Sequence, residues 1–397
     1  MSTQDIALPC PFDTGFFADP YTVYARLRGA GSVHLVAAPD GTPVWLVLKE
    51  RDVRAGLSDP RLSVNKAHST RGYRGFSLPP ALDANLLNVD DIDHLRLRRL
   101  VSQAFTPRRV EHLRTVIEAT AGHLADALVP GETNDVAAQY ANLLPVTVIG
   151  DLFDVPAADR APFSSWVATM FAPDHPSQVA EAVNAIHVFL SGLVAARRRT
   201  PGEDLLSALI AARDEDDKLS EDELVSLAFL ILMAGTENAQ HVITSGLLAL
   251  LRHPHQLEEL RADFGLLAGA VEEIFRYAHP NQMAIRRFTL EDVEIDGCVI
   301  PEGETVMLCL ASAHRDPARY TDPDRFDIHR GDVSHLALGH GLHYCLGAAL
   351  ARTEVQTALS TMLRRFPRLH LAVPPDQLRW RSSWRSHALR ELPVVVA

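Results

Sequence analysis

The feature that most constrains this fold is a continuous apolar stretch between Ser220 and His253. It opens with Ser220 and, three residues later, Glu223, a capping-box pattern that predicts the start of a helix. Pro254 predicts its end, because proline cannot continue a helix. A helix of roughly 33 residues would be roughly 50 Å long. An apolar helix of that length is expected to cross the core of a large protein.

The middle of this predicted helix interrupts the apolar pattern with the run Ala234-Gly235-Thr236-Glu237-Asn238-Ala239. A glycine inside a helix costs about 1 kcal/mol relative to alanine, and polar side chains in an apolar core need partners. Two interpretations fit these residues. Either the helix kinks around a glutamate that has a structural partner, or the segment lines a functional site.

A single cysteine, Cys345, stands in a glycine-punctuated stretch just before a second apolar helical pattern. A thiol near the start of a helix is easily ionised, because free backbone N–H groups and the helix dipole stabilise a negative charge. Three glycines in this stretch permit backbone conformations and close approaches that side chains would block; they are Gly339, Gly341 and Gly347. The pattern predicts a thiolate presented to a large, flat ligand.

Two other interpretations of this stretch stay open at the level of residues. A lone cysteine is often only a small buried apolar side chain. Alternatively, His340, His343 and Cys345 could bind zinc, although a structural zinc site needs four ligands and no second cysteine is near.

Composition excludes several classes of protein. The chain has 397 residues, 47% of them apolar and 22% charged, with a formal net charge of −12, which argues against a general nucleic-acid or membrane-surface binder. Its four cysteines are scattered, which favours a reducing cytoplasm over a disulfide framework. Neither a signal peptide nor a membrane-spanning run is evident, and composition shifts nowhere sharply. We therefore expect a cytoplasmic protein with one domain over residues 1–397.

Helical patterns cover most of the chain, and the strands are few and short. Two hairpins are expected, around Asp40-Gly41 and around Asp296-Gly297. The expected helices are about 50–57, 94–104, 107–128, 144–153, 159–171, 178–199, 204–214, 220–253, 257–263, 266–277 and 346–366. The chain is therefore expected to be mainly α with small β-sheets.

The cysteine stretch resembles the haem-binding signature of cytochrome P450, a glycine-x-glycine-x-histidine-x-cysteine-x-glycine run that leads into a helix. The resemblance extends from about Asp19 to the C-terminus. It implies the single-domain, triangular, mainly helical fold of bacterial P450 enzymes, with haem b between the long central helix and the cysteine helix and Cys345 as the axial thiolate. It also implies insertion of one oxygen atom from O₂ into an organic substrate, here a medium to large molecule such as a secondary metabolite.

The resemblance gives roles to the polar middle of the long helix. Ala234 and Gly235 would leave room for O₂, while Glu237 and Asn238 would handle the protons needed to split it. The family usually has threonine after the acid, and Asn238 is a poorer proton donor that can still order a water. A haem-thiolate enzyme of oxidative coupling, ring closure or peroxide-driven chemistry is therefore an alternative. A haem-based sensor is a remote one, because the chain has no spare residues for a partner-binding module.

Two sets of charged supports are implied by the same resemblance. The first is a structural triad that holds the cysteine loop, formed by Glu273, Arg276 and Arg325. The second neutralises the haem propionates and consists of His94, Arg98, Arg287 and His343.

The substrate would be enclosed by side chains from loops and helices on the far side of the haem. The expected pocket residues are Tyr73, Phe76, Leu86, Leu87, Met170, Phe171, Phe229, Leu230, Met233, Gln282, Met283 and Ser386. No flavin or nicotinamide motif appears, so electrons from NAD(P)H are expected through ferredoxin and ferredoxin reductase. The expected docking patch for the acidic ferredoxin consists of Arg96, Arg99, Arg108, Arg109, Arg352, Arg364 and Arg365.

Overall fold

The computed structural model describes residues 8–70, 72, 78–102, 107–171, 175, 177–214, 219–332 and 334–397; the side chains at 80, 107–110, 112, 171 and 214 also lie outside this description. Helices dominate the fold. They are α1 Thr14–Ala18, α2 Pro20–Ala30, α3 Glu50–Ser58, α4 Pro80–Asp83, α5 Asp91–Ser102, α6 Pro107–Asp126, α7 Leu143–Leu152, α8 Ala157–Phe171, α9 Ser177–Arg199, α10 Leu205–Asp214, α11 Glu221–Leu251, α12 Pro254–Ala262, α13 Leu267–Tyr277, α14 Leu310–Ala313 and α15 Ala348–Arg365.

The strands are short and form three small sheets. They are β1 Val33–Ala37, β2 Pro43–Val47, β3 Leu62–Ser63, β4 Thr133–Asp135, β5 Arg287–Thr289, β6 Val293–Ile295, β7 Cys298–Ile300, β8 Thr305–Leu308, β9 His370–Leu371 and β10 Pro393–Val395. The largest sheet has the order β1-β2-β8-β5-β3, the second β4-β10-β9, and β6-β7 is a hairpin. The expectation of a mainly helical protein with small sheets is confirmed, as are both hairpins.

Helix α11 is the central element of the core. The predicted capping box is present: Ser220 Oγ accepts from the Glu223 N–H at 3.1 Å, and a Glu223 carboxylate oxygen accepts from the Ser220 N–H at 2.7 Å. The helix is 31 residues long, about 46 Å at 1.5 Å per residue, and its N-terminal and C-terminal thirds are almost entirely buried. It packs against α4, α7, α9, α13 and α15. The polar middle of α11 is therefore held at the centre of the molecule.

One helix differs from what composition led us to expect. By length and apolar composition, α9 is capable of crossing a membrane, and the bent pair 137–152 and 157–170 would be a second candidate if counted as one span. The buried residues of α9 recur every three or four positions, as in Ala182, Ile186 and Leu190. That is the pattern of a helix packed along one side against a protein core, here α8 and α11.

Candidate active site

A cavity of about 530 Å³ lies between the middle of α11 and the cysteine stretch that precedes α15. A volume of this size is typical of cofactor and small-molecule sites. Its floor is formed by residues 337–340 and 343–347, and its far wall by α11 and by residues 281 and 283–287. Cys345, Glu237 and Asn238 all line it. The fold thus brings together the two sequence features that stood about 110 residues apart.

The cysteine loop is closed by its own backbone. The Cys345 N–H donates to the Leu338 carbonyl at 2.8 Å, and the Tyr344 N–H donates to Gly341 at 3.1 Å. Burial raises the pKa of the Cys345 thiol, while the backbone N–H of Gly347 and the charge of Arg98 oppose that shift. Cys345 is therefore a half-buried thiol whose anionic form is favoured by positive charge nearby.

The three glycines of this loop have different roles. Gly347 has open space where a Cβ would stand and faces the cavity, so a flat group can lie against the first turn of α15. Gly339 has φ +78° and also lines the cavity. Gly341, with φ +70°, is not among the lining residues; a Cβ there would lie 3.0 Å from Ser58 Cβ. Its role in cofactor contact is thus not supported: it lets the loop pack against the end of α3.

The four expected propionate partners gather at one edge of the cavity. The rings of His94 and His343 lie 4.3 Å apart, and both residues line the cavity with Arg98 and Arg287. Burial, with help from the neighbouring arginines, lowers the pKa of His94 to about 4 and that of His343 to about 3. Burial also lowers the pKa of Arg287 to about 10. These imidazoles are therefore neutral at pH 7, and each can donate one N–H.

Unpartnered buried atoms at this edge test whether a haem fits. Nδ1 of His94, Nδ1 of His343 and Nη1 of Arg287 are buried and have no hydrogen-bond partner among the described residues. A native protein rarely leaves three such atoms together, so they indicate a missing group that accepts hydrogen bonds and carries negative charge. Two carboxylates at this edge and a flat body above Gly347 match a haem with Cys345 beneath it. Within the described part of the chain, no three His, Cys, Asp or Glu side chains cluster to hold a bare metal ion, so the zinc alternative lacks a ligand set.

The middle of α11 presents a small, polar patch to the cavity. Ala234 is exposed to it, and Asn238 lines it with an amide that makes no hydrogen bond to any described residue. Thr236 turns away, donating to the carbonyls of Leu232 and Met233 at 3.0 and 3.1 Å. A Cβ on Gly235 would lie 2.6 Å from the Cδ1 of Ile149. The glycine therefore also serves the close packing of α11 against α7.

Glu237 has partners that the sequence pattern did not indicate. Nη1 of Arg381 lies 3.4 Å from Oε1 of Glu237 and donates to Nε2 of His241 at 2.8 Å. Burial raises the pKa of Glu237, and the arginine partly opposes this. Burial, with the same arginine, lowers the pKa of His241 to about 3, so its neutral ring accepts the hydrogen bond. One guanidinium thus holds both an acid and an imidazole of α11.

A second buried carboxyl, Glu354 of α15, also lines the cavity. Its Oε1 has no hydrogen-bond partner in the part of the chain that the structure describes, and burial raises its pKa to about 8. At pH 7 it is mostly a neutral carboxylic acid. Periodicity alone marks this position as one face of the cysteine helix, and only the structure shows that the face borders the cavity.

The structural triad forms with a different third member. Glu273 and Arg276 are fully buried and make two hydrogen bonds of 2.7 Å. The prediction that Arg325 completes the triad is wrong: its side chain is mostly exposed and pairs with Asp327 at 3.3 Å. Arg330 takes that place, with its Nε 3.2 and 3.3 Å from the Glu273 oxygens.

Arg325 contributes its backbone instead of its charge. Its carbonyl accepts from Arg276 and from Arg330, both at 3.1 Å. Arg276 also donates to the carbonyls of His314 and Pro323. The triad therefore fixes the chain that leads to the cysteine loop by gripping its main chain.

The neighbouring residue Glu272 ties the cysteine helix to α13. It accepts from Arg352 at 2.6 and 2.9 Å, and His335 lies 3.1 Å from its Oε2. These contacts lower the pKa of Glu272 to about 2, against the effect of burial. Arg352 was expected in a free docking patch, and it is instead committed to this support.

Most of the residues expected to enclose the substrate lie at the cavity. Seven of its residues line the cavity: Leu86, Leu87, Met170, Phe229, Leu230, Met233 and Met283. Tyr73 and Phe76 lie outside the described residues, as does the side chain of Phe171. Gln282 and Ser386 are not lining residues, and their neighbours Asn281, Met283 and Arg385 line the cavity instead. Gln282 is fully buried outside the cavity lining, and the backbone of Ser386 pairs with Asn281.

Comparison with known proteins agrees with this site. A family model described as "Cytochrome P450" matches residues 138–387. The chain is 45% identical over 382 residues to cytochrome P450 monooxygenase PikC of Streptomyces venezuelae, covering 96% of this chain and 91% of that protein. It is 38% identical over 391 residues to 6-deoxyerythronolide B hydroxylase of Saccharopolyspora erythraea, covering 96% of each chain. The tirandamycin C-bound structure of the P450 monooxygenase TamI superposes with a TM-score of 0.93 at 43% identity, covering 97% and 99% of the two chains.

The family uses haem b, O₂, and electrons that redox partners relay from NAD(P)H, and the cavity supplies a thiol and donors suited to that cofactor. Fold, cavity and relatives agree on one assignment. The chain belongs to the cytochrome P450 family and is a haem-thiolate monooxygenase.

Proposed function

We propose that this enzyme hydroxylates or epoxidises a medium to large, partly apolar secondary metabolite. The observation that carries the proposal is the cavity itself. The seven wall residues named above are leucine, phenylalanine or methionine, and Glu237 and Asn238 line the cavity opposite Cys345. By its name, one relative hydroxylates 6-deoxyerythronolide B, and TamI was solved with tirandamycin C bound. Both compounds are secondary metabolites. A wall of leucine, phenylalanine and methionine suits an apolar body of that kind.

In this proposal, separate residues hold the iron and the propionates of the haem. Cys345 would hold the haem iron, while Arg98, Arg287, His94 and His343 would hold the propionates. When bound, the haem supplies the oxygen activation that no side chain can perform.

Proton delivery falls to the middle of α11. Glu237, held by Arg381, receives protons from the outside and passes them towards Asn238. The free amide of Asn238 orders a water, or the substrate's own hydroxyl, at the point where the family usually has threonine.

We also propose that a ferredoxin docks against the cysteine-loop side. Four large apolar side chains are exposed there: Ile92, Leu95, Leu342 and Tyr344. The basic patch is smaller than the sequence indicated, because Arg96, Arg352 and Arg365 are engaged with Glu223, Glu272 and Asp126. Arg99 is exposed, and the side chains of Arg108 and Arg109 lie outside the described residues. Reduction by ferredoxin should therefore slow only moderately with salt.

The proposal further places the enzyme in the cytoplasm as one domain over residues 1–397. Its four cysteines are all free, which suits a reducing compartment.

The experiment that tests the function is the absorption spectrum of the reduced protein with carbon monoxide. A Soret band far to the red, as thiolate-ligated haem gives, is expected for the native chain, and Cys345→His should move it to the position of histidine-ligated haem. Cys309→Ala, a buried cysteine outside the cavity, is the control. A native band at the histidine position would contradict the assignment of Cys345.

A coupling or ring-forming reaction is the second candidate, and Asn238 is the observation that keeps it. Turnover in ¹⁸O₂ separates the two. Label in the product supports oxygen insertion, whereas an unlabelled oxidised product supports coupling.

A further inference from the structure

A second cavity of about 550 Å³ adjoins the first on the side away from the cysteine loop. It lies between the β1–β2 hairpin, the segment 303–305 and the tip of a C-terminal hairpin that spans residues 379–390. Three residues line both cavities: Arg286, Met307 and Arg385. Two of the three residues at the junction are therefore arginines.

Arg385 is held at this junction by its backbone. Its carbonyl accepts from the Gln282 N–H at 2.9 Å, and the neighbouring Ser386 forms a β-bridge with Asn281. The His387 N–H donates to Pro280 at 2.7 Å on the other side. The hairpin tip is thus fixed to the wall segment 280–282, and the base of the Arg385 side chain has a defined position.

The guanidinium of Arg385, by contrast, has no carboxylate within 4.0 Å among the described residues. It lies over the ring of Trp384, with Cζ 5.1 Å from the ring centroid. The two acids of the second cavity are engaged elsewhere: Asp40 accepts from the Thr42 N–H at 2.9 Å, and Glu304 accepts from Nε1 of Trp45 at 3.3 Å. An exposed cation on a fixed backbone at a cavity junction can accept an anion without rearrangement of the chain.

The charges that line the main cavity also favour an anion at this junction. Among its described lining residues, Lys66 is paired with Asp83 at 2.5 Å, Glu237 is held by Arg381, and Glu354 is mostly neutral. Two arginines, Arg98 and Arg287, face the propionate edge. Arg286, whose Nη2 donates to the uncharged amide of Asn88, and Arg385 remain beyond that edge. At the junction, Arg385 is thus the arginine whose charge no described carboxylate offsets within 4.0 Å.

We propose that Arg385 binds an anionic group of the substrate, a carboxylate, at the junction of the two cavities. This inference rests on the proposed function and names the substrate class: an apolar body in the main cavity with an acidic end at the hairpin tip. Arg286, buried beside the junction and hydrogen-bonded to Asn88, adds a second positive charge. A carboxylate at this point is bound by a charge-assisted hydrogen bond and fixes which carbon of the body lies nearest the iron.

The test uses ω-imidazolyl fatty acids of increasing chain length, each beside its methyl ester. The imidazole of each probe binds the haem iron and shifts the Soret band, so its dissociation constant is read directly from the holoenzyme. At the chain length that reaches the junction, the acid should bind more tightly than its ester, by up to about fivefold, which is the upper end of the range for an exposed ion pair. Arg385→Gln should remove that advantage, and Arg385→Lys should keep part of it.

Arg390→Gln is the matched control, because Arg390 is an exposed arginine of the same hairpin that lines neither cavity. It should leave the acid-to-ester ratio unchanged. As a measurement on the native enzyme alone, added salt should weaken the acid and not the ester. An acid-to-ester ratio close to one for every chain length, or a ratio that survives Arg385→Gln, overturns the inference. Failure of the esters themselves to shift the Soret band would instead count against the haem site and the proposed function.

Discussion

Asn238 is the residue at which this chain departs most from its family's usual pattern, and its amide faces the cavity beside Glu237. Asn238→Ala removes the group that we expect to order a water. Proton delivery then slows, so more of the electrons from NAD(P)H reduce O₂ to hydrogen peroxide. Turnover to product falls at least about tenfold, which is below the usual range for lost acid–base catalysis. The measurement is product formed per NAD(P)H consumed.

Two variants make that measurement specific. Asn238→Thr should restore coupling, because a hydroxyl can fill the same role. Asn281→Ala changes another asparagine of the cavity wall and should leave coupling nearly intact. If Asn238→Ala couples as well as the native enzyme, proton delivery does not pass through this amide.

Arg381 sets the proton affinity of Glu237, since its charge lowers a carboxyl pKa that burial raises. Arg381→Ala leaves only the effect of burial, so the pKa of Glu237 rises and the acid keeps its proton to higher pH. The alkaline limb of the pH–rate profile should therefore move upward. Arg379→Ala, an exposed arginine of the same hairpin paired with Glu391, is the control. A profile that does not move in Arg381→Ala would show that Glu237 does not limit the reaction.

At the scale of elements, α13 fixes the approach to the cysteine loop through a buried ion pair. Glu273→Gln leaves the Arg276 charge without its partner and should cost about 3–5 kcal/mol of unfolding free energy. Arg330→Ala removes a partly shielded charge-assisted bond and should cost about 1–3 kcal/mol. Arg325→Ala should stay within about 0.5 kcal/mol, because its side chain is mostly exposed. Urea unfolding of the holoenzyme measures all three, and a larger loss for Arg325 than for Arg330 would contradict the structure.

Elements were easier to predict from sequence than the contacts between them. The capping box and proline bounded α11 to within two residues, because helix ends depend on local chemistry. Arg325 and Arg330 are both arginines in one turn-rich segment, and local pattern cannot tell which side chain turns inward. Arg381 lies 144 residues from Glu237, so nothing near the acid in the sequence indicates their contact. The propionate edge was predictable because the family resemblance assigns one role to residues that lie far apart in the sequence, such as His94, Arg287 and His343.

At the scale of the whole molecule, buried neutral histidines make the fold sensitive to acid. Burial lowers the pKa of His241 and His279 to about 3 and of His387 to about 4, and puts that of His314 well below its usual 6.5. Below pH 6.5 the unfolded chain takes up protons that the folded chain refuses. The free energy of unfolding therefore falls as pH drops from 6.5 towards 3.

We expect each such histidine to lower the free energy of unfolding by as much as about 2 kcal/mol at pH 5, because each pH unit below 6.5 contributes about 1.4 kcal/mol. Glu354 acts in the opposite direction, because its pKa is raised to about 8, and it offsets about one histidine. Urea unfolding at pH 7 and pH 5 should thus show a net loss, and Glu354→Gln should deepen it. Equal stability at the two pH values would mean that these rings are not neutral in the native state.

Arg98 spans the wall between the interior and the surface. It lines the cavity at the propionate edge, and its Nη2 donates at 2.7 Å to the carbonyl of Tyr344, whose side chain is exposed on the outer face. This hydrogen bond joins the propionate edge to the face on which we propose that ferredoxin docks. A change in the position of Arg98 would therefore be transmitted to the backbone of that face.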